Sequence, residues 1–249
     1  MRGFFTCLSV LPALLNLAAG ISIKRASKDP YFLLIGDSTV AVNGGWGDGF
    51  LSYLRNGAEG ENRGKSGSTT ASWKANGRWA DLLTTVADEK DAKEPIVTIQ
   101  FGHNDQKSLT LDEYRANLVN ITTTLKEAGA TPIIITPLTR RNFDGDEVQQ
   151  DFVEWRGKAI AVAKEVGIKW LDLTQASTNY INAIGAENAS YYDLSEGDGT
   201  HLNTAGQTVF GRMVADLLLE KRTDLSTFFT PNEALSDKIS AGEFATGDE

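Results

Sequence analysis

The chain has two histidines, His103 and His201, and a single cysteine, Cys7, so bases and nucleophiles beyond the carboxylates and hydroxyls are few. Its first strongly apolar run after the N-terminal stretch, Tyr31 through Ile35, ends in Gly36 and then in Asp37, Ser38 and Thr39. A serine there can attack a carbonyl if an imidazole takes its proton and a carboxylate orients and stabilises the imidazolium. Of the two histidines only His201 follows a carboxylate, Asp198, three residues earlier. Ser38, His201 and Asp198 are therefore the candidate nucleophile, base and orienting acid of an acyl transfer. Taken singly, each has an ordinary reading: Ser38 as the cap of a following helix, His201 as a surface residue near a helix start.

Acyl transfer also needs hydrogen-bond donors for the oxyanion, each worth about 3 to 4 kcal/mol. The backbone amides of Ser38 and Gly67 and the side-chain amide of Asn104 are the candidates. Alone, Gly67 reads as a turn glycine and Asn104 as a turn former. His103, beside Asn104, either shapes that loop or touches substrate, and the structural role is favoured.

These residues need a frame that brings distant loops together. Tyr31 to Ile35 has no polar interruption, which predicts a strand covered on both faces. The glycine-rich run from Asn43 to Gly49 leads into helical spacing of Trp46, Phe50, Leu51 and Leu54. A short second strand is expected before Asn62 to Thr70, followed by a helix marked by Trp79, Leu82, Leu83 and Val86. Ile96 to Phe101 predicts a third strand, breaking into Gly102-His103-Asn104-Asp105. Thr110 and Glu113 form a capping-box signature for a helix with Leu111, Tyr114, Leu118, Ile121 and Leu125 on one face and Gly129 at its end. Pro132 to Thr136 is a fourth strand, Pro137 to Glu147 a polar loop, and Phe152 to Val166 a helix before a fifth strand from Lys169 to Leu173. A short helix from Thr174 to Ile184, an irregular polar segment to Gly199 and a last strong helix from about Asn203 to Glu220 complete the series. The βαβ alternation predicts an α/β three-layer sandwich: a five-stranded parallel sheet with helices on both faces and its carboxyl-end loops on one rim.

At 249 residues with 41% apolar content the chain can bury one sizeable core, so one domain is expected. Residues 1–25 read as a secretory signal with a short pro-segment: a basic start, an apolar run, small residues at Ala18-Ala19-Gly20 and the dibasic pair Lys24-Arg25. The main domain is expected over residues 26–235 and a flexible tail over 236–249, with Phe228 and Phe229 docking on the core. The apolar run falls short of a membrane span, so a secreted, extracellular protein without a membrane partner is expected. Asn120 and Asn188 stand in N-glycosylation sequons. The formal net charge of -9 becomes -12 once the three basic residues Arg2, Lys24 and Arg25 leave with residues 1–25, which argues against nucleic acid as a partner. A monomer needing no cofactor is expected. Cys7 lies in the signal, so a thiolate metal site is not expected; calcium on the acidic residues has no specific support.

Gly36-Asp37-Ser38, Gly67 after Asn62, Gly102-His103-Asn104-Asp105 and Asp198-Gly199-Thr200-His201, in that order, resemble the four sequence blocks of the SGNH (GDSL-type) hydrolases. The resemblance spans residues 31 to about 220 and implies a flavodoxin-like sheet. It implies Ser38 as nucleophile, Asp198 and His201 completing the triad, and Gly67 and Asn104 joining the Ser38 amide as oxyanion donors. Thr39-Val40 departs from the leucine that follows the serine in the namesake motif. Gly77-Arg78-Trp79 and Thr139-Arg140-Arg141-Asn142-Phe143 further resemble the rhamnogalacturonan acetylesterases. This implies an acetylated plant cell-wall polysaccharide as substrate, rhamnogalacturonan or another pectin first and acetylated xylan next. The rim loops are rich in Gly, Ser, Thr and Asn rather than apolar residues, so a long acyl chain is not expected. Lys65, Arg78, Arg140 and Arg141 on or near those loops could pair with uronate carboxylates, against the plain reading of ordinary surface charge.

Two other classes compete. A glycoside hydrolase would use Asp193, Glu196 and Asp198 but leave Ser38 and Asn104 idle. A non-catalytic carbohydrate-binding protein would expose Trp46, Trp73 and Trp79 as stacking platforms, although aromatics at helical spacing are more often core.

Overall fold

The computed structural model describes Gly3 and residues 28–249. Apart from Gly3, the expected signal and pro-segment, with Cys7 and Lys24-Arg25, lie outside the described residues. In chain order the elements are β1 (Pro30–Gly36), α1 (Gly47–Leu51), β2 (Glu59–Asn62), α2 (Arg78–Glu89), β3 (Glu94–Gln100), α3 (Asp105–Ser108), α4 (Leu111–Ala128), β4 (Thr131–Ile135), β5 (Phe143–Asp144), β6 (Glu147–Val148), α5 (Val153–Val166), β7 (Lys169–Leu171), α6 (Leu173–Ser190), α7 (Thr204–Lys221) and α8 (Glu233–Ala241).

Five strands form one parallel sheet in the order β2-β1-β3-β4-β7. This is the expected flavodoxin-like three-layer arrangement, with the sequence-predicted strands recovered to within one or two residues of their ends. Because side chains alternate across a strand, each central strand feeds two cores. Phe32 and Leu34 of β1, with Ile133 and Ile135 of β4, pack among Phe50, Val209, Phe210 and Val214 on one side. Leu33 and Ile35, with Val97, Ile99 and Ile134, meet Leu82, Tyr114, Leu118 and Ala159 on the other. At roughly 1.5 to 3 kcal/mol for each large apolar side chain buried, this two-sided burial makes β1 and β3 the stiffest parts of the frame. Their carboxyl ends flank the point where the strand order reverses, which is where open α/β sheets leave a crevice.

The helices start and stop for local reasons. The capping box of α4 is complete: Thr110 accepts from the Glu113 amide while the Glu113 carboxylate accepts from the Thr110 amide, and Gly129 ends the helix at φ 97. The polar loop predicted over 137–147 contains a two-stranded hairpin, β5 with β6, turned by Gly145 at φ 67. The helix predicted over 174–184 runs on to Ser190 through a break at Gly185, whose ψ of 168 is extended.

The tail expected to be flexible from 236 onward is instead folded. Residues 233–241 form α8, Ala245 is fully buried, and the Tyr192 hydroxyl donates to the Ala245 carbonyl at 2.7 Å. Lys238 pairs with Glu249 at 2.8 Å, and Asn232 donates to the Glu249 carbonyl at 3.0 Å. Polar composition conceals this because the apolar anchors, Leu235, Ile239, Phe244 and Ala245, are few and widely spaced and the rest of the docking uses polar and backbone groups. Phe229 docks as expected, edge-on to Phe32 and Phe50. No helix among the described residues is long and apolar enough to cross a membrane.

Candidate active site

At the end of β1 the chain makes a tight turn rather than a helix. The Asp37 carbonyl accepts from the amides of Val40 and Ala41, and its carboxylate oxygen Oδ1 accepts from the amide and hydroxyl of Thr39 at 2.9 and 2.8 Å. Gly36 is required here, since a Cβ would come within 2.5 Å of the Gln100 carbonyl. Ser38 is therefore not a helix cap. Its Oγ lies 2.9 Å from His201 Nε2.

Asp198 and His201 reach Ser38 from the irregular loop before α7. His201 Nδ1 is 2.9 Å from Asp198 Oδ2, while Asp198 Oδ1 accepts from the amides of Thr200 and His201 at 3.1 and 3.0 Å. That leaves Nδ1 to donate to the carboxylate and Nε2 to face the serine. Partial burial pushes the Asp198 pKa up, but the amide and ring of His201 and the amide of Thr200 outweigh it and hold the carboxyl below its ordinary range.

The loops carrying Gly67 and Asn104 are fastened to each other. Asn104 Nδ2 donates to the Ser68 carbonyl at 3.0 Å, and Asp105 accepts from the amide and hydroxyl of Thr70 at 2.9 and 2.6 Å. Burial raises the Asp105 pKa against those two bonds. Gly67 adopts φ 78, conformationally costly for a residue with a Cβ. Among the described residues the amides of Ser38 and Gly67 have no acceptor, and Asn104 Nδ2 retains a second hydrogen. These are the three donors expected for an oxyanion.

Several expected contacts fall elsewhere. His103 is 2% exposed, stacks on Phe152 at 4.4 Å between ring centroids and has no hydrogen bond at either ring nitrogen. It cannot reach a substrate on the rim. Burial, then the nearby charges of Arg140 and His201, pushes its pKa well down. Arg141, also expected to meet substrate, is 7% exposed: Nε donates to Asp193 Oδ1 at 2.9 Å and Nη2 to the carbonyls of Asp198 and His201 at 2.9 and 2.6 Å, while Nη1 is buried without a partner among the described residues. Arg140 pairs with Asp151 at 2.9 Å and lies over the Phe152 ring. With the Gln106 amide turned so that its oxygen faces the guanidinium, Arg140 also donates there at 2.8 Å.

Trp46 and Trp73 are core residues rather than stacking platforms, and Trp79 lies partly buried under Lys74. The two sequon asparagines are exposed, Asn120 on α4 and Asn188 on α6, although Thr122 of the first sequon is buried and the Asn188 amide nitrogen donates to the Ile184 carbonyl at 2.9 Å.

Gln100 does not stand out in the sequence. At the end of β3 it accepts from Trp46 Nε1 at 2.7 Å and donates to the Thr39 hydroxyl, tying the serine turn to the neighbouring strand. A large polar side chain near the end of a mostly apolar run, Ile96 to Phe101, is the one signal for it. Of Lys65, Arg78, Arg140 and Arg141, the first two have no ion pair among the described residues. Arg78 and Asp81 of α2 line a 300 Å3 cleft with Trp73 and with Arg63 and Gly64, which lie on the loop that leads to Gly67. A 420 Å3 cavity between α6, α7 and α8 contains none of the candidate site residues.

Known proteins share both the sequence pattern and the fold. The model of the GDSL-like Lipase/Acylhydrolase family matches residues 34–209. A rhamnogalacturonan acetylesterase of Bacillus subtilis (strain 168) is 30% identical over 207 residues, covering 74% of this chain and 87% of the relative. A rhamnogalacturonan acetylesterase of Emericella nidulans is 26% identical over 215 residues, covering 75% of this chain and 82% of the relative. Among solved structures, the Bacillus subtilis protein YXIM superposes with a TM-score of 0.68 at 22% identity, over 78% of this chain. The chain spans only 57% of that structure's length. Axe2, an acetylxylan esterase of Geobacillus stearothermophilus, gives a TM-score of 0.55 at 20% identity, covering 78% of this chain and 94% of the structure.

Proposed function

Because the chain belongs to the GDSL-like lipase/acylhydrolase family and is an ester hydrolase, we propose that it is a secreted serine esterase removing acetyl groups from rhamnogalacturonan-type pectin. The observation that carries the reading is the continuous line Ser38 Oγ, His201 Nε2, His201 Nδ1, Asp198 Oδ2, with 2.9 Å at each hydrogen bond. His201 accepts the Ser38 proton as Oγ attacks the ester carbonyl. The amides of Ser38 and Gly67 and the Asn104 side chain hold the developing oxyanion. Collapse of the tetrahedral intermediate expels the sugar alkoxide, which takes the proton back from His201. Water then attacks the acetyl-serine by the same route, releasing acetate and restoring Ser38.

The substrate rests on the relatives' names and on the rim. An acetyl group needs little acyl pocket, so recognition falls to the sugar side, and the 420 Å3 cavity lies among other residues. The glycoside-hydrolase reading loses support because Asp193 is paired with Arg141 and Asp198 with His201. With Arg140 and Arg141 committed internally, Arg78 and Lys65 are the cations left to meet uronate carboxylates. The reading is tested by acetate release from acetylated rhamnogalacturonan, acetylated xylan and a long-chain ester, in the parent, Ser38→Ala and Arg78→Ala. Ser38→Ala is expected to be inactive on all three, and Arg78→Ala to raise KM on rhamnogalacturonan alone. Preference for xylan or the long-chain ester overturns the substrate, and activity of folded Ser38→Ala overturns the mechanism. Secretion is supported by the leader and sequons; an N-terminus at Ala26 on the exported protein is the expected result.

A further inference from the structure

The loop from Asp193 to Leu202 carries two of the three reacting side chains yet has little regular structure of its own. A single bridge joins Asp193 to Leu202, and Gly197 turns at φ 76. The Asp198 carboxylate closes a local turn by accepting from the amides of Thr200 and His201, but that turn alone does not hold the separation of Asp198 from His201, or of either from Ser38, to the fraction of an ångström that proton transfer requires. The restraint comes from the chain after β4. The Arg141 amide donates to the Gly199 carbonyl at 2.7 Å, and one guanidinium nitrogen, Nη2, donates to the carbonyls of both Asp198 and His201. A Cβ on Gly199 would lie 2.2 Å from Asn142 Oδ1, so the two segments are in direct contact. The His201 carbonyl also accepts from the Leu194 amide, and the Leu202 amide donates to the Gly44 carbonyl.

We propose that Arg141, held by Asp193, is the positioning residue that sets the Asp198–His201 geometry. One planar nitrogen spanning the two carbonyls fixes the pitch of the loop between them, and the carboxylate of Asp193 on Nε fixes the plane of the fork. Lysine could supply the charge but not both contacts at once together with the Asp193 bond, because its ammonium is a point donor on a flexible stem. Asp193 also supplies the counter-charge without which a nearly buried guanidinium would be costly. Arg141 has no hydrogen bond to Ser38 and bonds the backbone of Asp198 and His201, so it acts through those two residues. The inference rests on Asp198 and His201 serving Ser38.

The test is steady-state kinetics on a small acetyl ester with Ser38→Ala, Arg141→Met, Arg141→Lys and Asp193→Asn. Circular dichroism and the NMR signal of the deshielded His201 Nδ1 proton accompany it. Arg141→Met and Arg141→Lys are expected to lose about a hundredfold in kcat with KM essentially unchanged, the scale of a misplacement near 1 Å. Both should weaken the deshielded proton signal, and Asp193→Asn should show the same pattern with a smaller loss. Parental kcat in folded Arg141→Met, or in Arg141→Lys should the methionine variant not fold, overturns the inference, as does a loss confined to KM. Full activity of Ser38→Ala would instead remove the reading on which it rests, so the two failures are distinguishable.

Discussion

The molecule holds two histidine–aspartate pairs on one rim, and they have opposite environments. His201 and Asp198 sit on a partly exposed loop with both ring nitrogens bonded and the carboxyl pKa lowered. His103 and Asp37 lie beneath them, His103 Nδ1 3.8 Å from Asp37 Oδ2, with no hydrogen bond between them. Burial there pushes the Asp37 pKa up to about 6 against the Thr39 amide and hydroxyl, and pushes His103 down. Both shifts favour neutral forms. The difference teaches that a histidine near a carboxylate is not by itself a base: Asp198 is hydrogen-bonded to its ring, as a base needs, whereas Asp37 spends its bonds on Thr39 and leaves the buried His103 ring without one.

The largest effect expected from this contrast is on turnover. His201→Ala should lower kcat by about 10⁴- to 10⁶-fold, the scale seen when a member of such a triad is removed. His103→Leu, which exchanges an unbonded ring for an apolar side chain, should lose less than about tenfold. Comparable losses in the two variants, measured by acetate release, would erase the distinction. Asn104→Ala comes next, with a loss of about 10²- to 10³-fold confined to the chemical step, as for a removed oxyanion donor.

Stability against pH separates the two carboxylates by sign. Asp37, raised to about 6 from an ordinary 3.9 or so, binds its proton more tightly when folded, so its contribution to stability falls as pH rises through that window. Asp37→Asn should therefore stabilise the protein at pH 7 by on the order of 1–3 kcal/mol, and the gain should vanish below about pH 4. The carboxamide keeps the acceptor for Thr39 and places a donor toward His103. Asp198, with a lowered pKa, contributes stability above the ordinary carboxylate range and loses it as pH falls through the folded value. Asp198→Asn should consequently be slightly destabilised at pH 7 and indistinguishable in acid, the smallest of these effects because the group is partly exposed. Chemical denaturation at several pH values checks both slopes.

The fold is legible in the sequence because its signals are local. The apolar runs ending at Ile35 and Phe101 and the Thr110–Glu113 box need no distant information to be read. Ser38, Asp198 and His201 are legible by scarcity, since two histidines leave little choice. Arg140 and Arg141 mislead because an arginine in a polar loop looks the same whether it meets solvent or, as with Asp193 fifty-two residues on, a buried partner chosen by topology. For His103 the sequence leaves a substrate contact open beside the favoured structural role because its neighbours are polar; the side chain is buried against Phe152, as the structural role requires. The docking of residues 233–249 is hidden because its apolar anchors, Leu235, Ile239, Phe244 and Ala245, are scattered among polar residues without a clear period, and the remaining contacts are backbone carbonyls and Glu249.

The most direct test of the contrast is labelling by a serine-directed phosphonate with peptide mapping, in the parent, His201→Ala and His103→Leu. One adduct on Ser38 is predicted, formed at nearly the parental rate in His103→Leu and slowed at least about a thousandfold in His201→Ala. An adduct on another residue, or parental labelling of Ser38 in His201→Ala, would contradict the assignment of His201 as the base.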